Sequence, residues 1–103
     1  MAENFISCGC AGKLITLYVD LEKAFQHVLR KRKGSARDWI IITRGAVSSV
    51  ESACNVRLEN VRKKLDEAYN KLIGEKWETS YLELVEAQNE LDRMFKKRIC
   101  PVI

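Results

Sequence analysis

The fold of this chain is decided by the stretch VSSVESACNVRLENVRKKLDEAYNKL at residues 47–72. Its apolar side chains recur at alternating steps of three and four residues, the spacing that places them on one face of an α-helix. They are Val47, Val50, Cys54, Leu58, Val61, Leu65, Ala68 and Leu72. At about 3.6 residues per turn, this 47–72 stripe runs for about seven turns. The sequence therefore predicts a long central helix with a coiled-coil-like apolar face.

Helical patterns also lie on both sides of the 47–72 stripe. Before it, apolar residues at helical spacing predict a helix over residues 13–32, and Gly34 follows as a helix-ending glycine. After it, Gly74 would end the central helix. Ser80 and Glu83 then have the capping-box spacing that predicts the start of a last helix.

The region just before the stripe allows two interpretations. Ser35 has the spacing of a helix cap, and residues 39–43 predict a buried helical turn, but Gly45 is unfavourable inside a helix. Either one helix covers 36–73, or a short helix at 36–44 precedes a longer one at 46–73. The unbroken helix would be about 57 Å long against about 30 Å for its neighbours. A break near Gly45, or a second copy of the chain packed on the stripe, would cover the excess apolar surface, and we expect self-association.

Size and composition indicate one small domain. The chain has 103 residues, of which 47% are hydrophobic and 31% charged, and its single proline is Pro101. Helices are therefore permitted almost throughout. We predict an all-α fold, an antiparallel three-helix bundle over residues 13–99 with a possible short fourth helix. Residues 1–12 would form a flexible arm and residues 100–103 a tail.

The charge of the chain is distributed unevenly. The formal net charge is +4, yet residues 29–44 and 92–103 together hold ten basic and two acidic side chains. Two chain reversals would bring these segments together as a basic pole, whose candidate ligand-binding residues are Arg30, Lys31, Arg32, Lys33, Arg37, Arg44, Lys96, Lys97 and Arg98. Cations at helix C-termini have a purely structural explanation in the helix dipole, which leaves Arg37 at a helix start unexplained. A nucleic acid, with closely spaced phosphates, is the ligand that such a pole predicts.

Two other classes of function remain open. Cys100 lies four residues from the end, behind Lys96, Lys97 and Arg98, which has the outline of a prenylation signal behind a polybasic segment. The protein would then be a peripheral membrane protein. A helix–helix adaptor or coiled-coil oligomer without an anionic ligand would explain the long stripe alone. Among these alternatives we favour a non-enzymatic binding or assembly protein that contacts nucleic acid, such as a nucleoprotein or virion component.

Catalytic and metal-binding patterns are not found in the sequence. His27 is the single histidine and has no nucleophile beside it in the sequence, and no glycine-rich phosphate loop occurs. Cys8 and Cys10 are one residue apart, which does not match zinc-site spacing, and the predicted topology sends the four cysteines to different places. We therefore expect no enzyme activity, no metal and no cofactor.

The expected compartment follows from the N-terminal sequence. Glu3 stands where a secretory signal would carry positive charge, so we expect an intracellular protein, cytoplasmic or in a virion. A cytosolic chain normally keeps its thiols reduced, because disulfides belong to oxidising compartments or hyperthermophiles, but the sequence leaves the disulfide state of Cys8, Cys10, Cys54 and Cys100 open. Cys54 would then be a small core residue.

Overall fold

The computed structural model describes residues 8–95, and within that range it contains four helices and no strand. They are α1 (Cys8–Leu29), α2 (Lys33–Cys54), α3 (Glu59–Ile73) and α4 (Trp77–Phe95). The all-α class is confirmed. The three-helix arrangement is wrong, because the predicted central helix is two helices. No helix among residues 8–95 has the length and apolar character needed to cross a membrane.

The predicted central helix is interrupted at residues 55–58, and not at Gly45. Asn55 has φ 55° and ψ 49°, and its N–H donates to the carbonyl of Glu51, which ends α2. Asparagine adopts this left-handed conformation more readily than most residues. Leu58 lies four residues after Cys54 and three before Val61, so the apolar spacing continues through the turn although the helix does not. Neither predicted form of the central helix, 36–73 or 46–73, is therefore correct, and Gly45 lies inside α2.

The turns after α1 and α3 share one hydrogen-bond pattern, and each of the three turns between the described helices contains a left-handed residue. After α1, the N–H of Lys31 donates to the Val28 carbonyl (3.0 Å) and that of Arg32 to the His27 carbonyl (2.9 Å). This is the Schellman arrangement, in which the residue after the helix is left-handed and is often glycine. Here the left-handed residues are Lys31, Asn55 and Glu75, with φ of 55°, 55° and 59°. The prediction that glycine marks these turns is wrong for Gly34, which lies in the first turn of α2.

Successive helices run antiparallel and form two hairpins. The most extensive packing is between α1 and α2 and between α3 and α4, while α2 against α3 and α1 against α4 join the hairpins. The molecule measures 46 × 22 × 19 Å. We call the end with the α1–α2 and α3–α4 turns the turn end. The opposite end holds the start of α1, the α2–α3 turn and Phe95, and we call it the disulfide end.

The 47–72 stripe is buried inside the monomer. All of its residues except Cys54 are buried, at 1% exposure or less, against apolar side chains of the other helices. The reason to expect self-association through this stripe is therefore removed. The predicted buried turn at residues 39–43 is helical, but only Ile40 and Thr43 are buried, whereas Ile41 and Ile42 are 51% and 47% exposed.

A disulfide between Cys10 and Cys54 joins the start of α1 to the end of α2, with 4.8 Å between their Cα atoms. Because α2 ends at Cys54 instead of continuing, this cysteine lies at the same end of the molecule as Cys10. The expectation that these two cysteines lie in different places is wrong, and their disulfide state, which the sequence left open, is the bonded one. The predicted arm at 1–12 is also too long, because α1 already begins at Cys8. Residues 1–7 lie outside the described part of the chain.

Neither predicted helix cap forms. Arg32, and not Ser35, is the N-cap of α2, and it makes no side-chain capping hydrogen bond. The last helix begins at Trp77, so Ser80 lies within α4. The Ser80 hydroxyl is buried and donates to the Ala68 carbonyl of α3 at 2.8 Å. It therefore ties the two helices of the second hairpin together.

Candidate functional site

Residues 30–33 and the described end of α4 lie at opposite ends of the molecule. Residues 30–33 form the turn end, whereas α4 reaches Phe95 at the disulfide end. The hydroxyl of Tyr18 donates to Asp92 Oδ1 at 2.5 Å, which fixes the end of α4 beside the first half of α1. Tyr18 lies about 16 Å along α1 from its last residue, Leu29. A fourth helix reverses the chain once more, so the described end of the last helix does not meet the end of α1 as the three-helix topology predicted.

Lys96, Lys97 and Arg98 lie outside the described residues, and so does Cys100, on which the membrane alternative depends. The described candidates are thus Arg30, Lys31, Arg32, Lys33, Arg37 and Arg44.

Three of these six cations are exposed and unpaired. Arg30, Lys31 and Arg32 are exposed on the α1–α2 turn, and none of them makes an ion pair with a described residue. Their backbone is held by the Schellman hydrogen bonds of that turn. We call residues 30–33 the basic turn. Its first three side chains extend into solvent from a fixed backbone.

The other three predicted cations each have a carboxylate partner. Lys33 Nζ lies 3.3 Å from Glu75 Oε2, across the gap between the two turns of this end. Arg37 pairs with its neighbour Asp38 at 3.4 Å. Arg44 pairs with Asp66 of α3 at 2.9 Å. Arg44 also lies about 16 Å along α2 from Lys33. It is therefore not part of the basic turn.

The turn end as a whole remains basic. Residues 26–38 and 70–80 contain seven basic and three acidic side chains, while the other described residues contain eight basic and ten acidic ones. The balance is +4 at this end and −2 elsewhere. The α3–α4 hairpin contributes Lys71 and Lys76, which sequence reasoning missed. Only the fourth helix brings them beside the basic turn, so no local signal could have identified them.

The electrostatics of α2 add to this positive potential. The first turn of α2 holds Lys33 and has no acidic residue, and its N-cap offers no side-chain acceptor to the free N–H groups. The N-terminus of a helix carries a partial positive charge. Cations there repel that charge, so the arrangement costs stability unless an anion is nearby.

An open groove of about 1270 Å³ near the disulfide end is lined by α1, α3 and α4. One of its lining cations, Lys64, is surrounded by carboxylates. Lys64 Nζ lies 2.7 Å from Glu86, 3.5 Å from Glu83 and 3.7 Å from Glu67. The hydrogen bond to Glu86 and the two other carboxylates raise the pKa of Lys64. Burial and the hydrogen bond to Asp92 raise the pKa of the Tyr18 hydroxyl. Tyr18 and Lys64 thus keep their protons.

Catalytic and metal-binding constellations are not found among residues 8–95. No group of three or more histidine, cysteine or acidic side chains there could hold a metal ion. The Nδ1 atom of His27 is buried and has no hydrogen-bond partner in this range. The basic turn is the candidate site, because its three exposed cations have the charge and accessibility that binding an anion requires. Comparison of the chain with protein-family models, with curated proteins and with solved structures finds no match.

Proposed function

We propose that this protein is a non-enzymatic helical binding protein that contacts nucleic acid through the basic turn. The observation that carries the proposal is the run of three exposed cations, Arg30, Lys31 and Arg32, that no carboxylate of the described chain neutralises. A turn held by backbone hydrogen bonds presents them together, so little conformational entropy of the backbone is lost on binding.

A polyanion fits this end better than a single small anion does. The end is about 20 Å across, from the two shorter dimensions of 22 and 19 Å, and its balance of +4 is spread over two turns. A nucleic acid presents several phosphates over such a width. The two grooves found among the described residues lie elsewhere, one beside Lys64 and the other beside Arg44. The contacts would be to phosphates, which provide affinity without sequence preference.

The expected salt dependence follows from the number of contacts. Three to four neutralised phosphates give a slope of about −3 for log affinity against log salt concentration on duplex DNA. Affinity should therefore fall about 40- to 150-fold between 50 and 200 mM salt. Fluorescence anisotropy with a labelled duplex at several salt concentrations measures this slope. An affinity indifferent to salt would contradict the proposal.

A charge-matched pair of variants tests the location of the site. Lys31→Glu with Arg32→Glu reverses two cations of the basic turn, whereas Lys13→Glu with Lys63→Glu reverses two exposed cations nearer the disulfide end. Both variants have the same net charge. The first should lower affinity at least tenfold and reduce the salt slope by about two, since each phosphate contact contributes about 0.9. The second should change affinity much less. Equal losses would show that only net charge matters, and an unaffected first variant would exclude the basic turn.

A failure to bind nucleic acid would favour a different class of function. If the wild-type protein binds no nucleic acid at low salt, the helix–helix adaptor becomes the better interpretation. Sedimentation analysis then measures whether the protein self-associates.

A further inference from the structure

We infer that Glu75 competes with nucleic-acid phosphate for Lys33. Lys33 is then a fourth phosphate contact, which forms only when a phosphate displaces the Glu75 carboxylate. The inference rests on the proposed function and adds how the affinity of that site is limited. It concerns the one cation of the basic turn that is paired.

The ion pair bridges two turns of the same end. Lys33 directly follows the three unpaired cations in sequence and begins α2, while Glu75 lies in the α3–α4 turn. The Lys33 ammonium donates to Glu75 Oε2 at 3.3 Å. The Glu75 backbone is held left-handed by the hydrogen bonds from its own N–H to Leu72 and from Lys76 to Lys71, at 2.9 and 2.8 Å. The carboxylate is thus presented to Lys33 from a fixed turn.

Exposure makes this pair exchangeable. The side chains of Lys33 and Glu75 are 42% and 65% exposed, so both reach solvent and a phosphate can approach the ammonium. An exposed pair of this kind contributes little stability. A phosphate oxygen and a carboxylate oxygen accept the same hydrogen bond from an ammonium, so one replaces the other. Glu75 would also repel a bound phosphate.

The expected effect is a gain of affinity when Glu75 is neutralised. From the usual strength of an exposed ion pair, Glu75→Gln should bind a labelled duplex about two- to fivefold more tightly than wild type. Glu78→Gln is the matched control, because Glu78 is an exposed acid in the first turn of α4 and makes no ion pair with a described residue. The control measures the general effect of removing one negative charge from this end.

A double-mutant cycle with Lys33→Gln isolates the pair. Lys33→Gln alone should weaken binding, and on that background Glu75→Gln should gain no more affinity than Glu78→Gln does. Circular dichroism spectra should show that all these variants keep the helical content of wild type. The inference is overturned if Glu75→Gln gains no more than Glu78→Gln, or if its gain persists without Lys33.

The two proposals fail in different ways. If Lys31→Glu with Arg32→Glu abolishes binding but Glu75→Gln matches Glu78→Gln, the nucleic-acid function stands and only the competition is excluded. If neither the wild-type nor the Glu75→Gln protein binds a duplex at low salt, both are excluded.

Discussion

Loss of the disulfide between Cys10 and Cys54 should lower the free energy of unfolding by about 4 kcal/mol. The two cysteines are 44 residues apart in sequence, and closing a loop of this length in the unfolded chain removes conformational entropy that folding would otherwise have to overcome. The constraint is placed at the open end of the first hairpin, where the chain has no turn between α1 and α2. A total stability of about 5–15 kcal/mol is usual for a domain, so this one bond is a large part of it.

The effect should also be visible locally. Before Leu14, Cys10 is the one buried residue of α1 among the described positions, so the disulfide is the main attachment of the first turn of that helix. Without it, the backbone amides of residues 12–13 should exchange hydrogen faster than the same amides do in the disulfide-bonded protein. The thiol left at Cys10 is no obstacle to folding, because a buried cysteine behaves as a small apolar residue.

Urea denaturation followed by circular dichroism measures the change. Cys8 and Cys100 should be serine in every protein compared, so that disulfide exchange cannot occur, and Cys54→Ser is then made on that background. When a reductant is added, the urea midpoint of the protein that carries only the Cys8 and Cys100 replacements, the background protein, should fall by about 1–4 M. The protein with Cys54→Ser should have the lower midpoint already and should not respond to reductant. A background protein whose midpoint is the same with and without reductant would refute the reasoning.

Three further predictions concern α2. Glu51→Gln should lower the free energy of unfolding by about 2 kcal/mol, because the Glu51 carboxylate accepts hydrogen bonds from the N–H of Leu58 at 2.7 Å and from the Arg62 guanidinium at 2.7 and 3.2 Å. Denaturation of this variant and of the exposed-site control Ser52→Ala measures the loss. Equally small losses in the two variants would contradict the prediction. The Arg62 hydrogen bond lowers the pKa of Glu51, so this stabilisation is present above the usual glutamate pKa of about 4.3 and is lost as pH falls through the lowered value. Urea midpoints should therefore fall more steeply with acidification in wild type than in Glu51→Gln, and parallel curves would argue against the pair. Gly45→Ala should raise the free energy of unfolding by about 1 kcal/mol, since an added Cβ meets no heavy atom within 4 Å; a lower melting temperature would mean that this glycine has a structural role.

The sequence predicts the core far better than it predicts the turns. The residues of the 47–72 stripe other than Cys54 are buried as expected, since side chains at helical spacing share one face. The same reasoning does not find the turn at residues 55–58, because the helical spacing of apolar residues continues through it. Gly45, the residue with the lowest helix propensity in this region, lies inside α2 instead, where packing of the buried face against α1 outweighs its cost.

The candidate site was predictable only in part. Arg30, Lys31 and Arg32 are consecutive in sequence, so their clustering is a local property that any fold would keep. Their separation from the end of α4, and their proximity to Lys71 and Lys76, depend on how many times the chain reverses. The same reversals place Glu75 beside Lys33.

The sequence by itself determined that the chain is helical and which side chains face inward, because both follow from the spacing of apolar residues over a few turns. The tertiary structure alone decided which helix ends meet, and hence that Cys10 joins Cys54 and that the basic turn is apart from the end of α4. The physical reason is that one additional reversal, made by a left-handed asparagine within an unbroken apolar pattern, inverts the direction of every later helix.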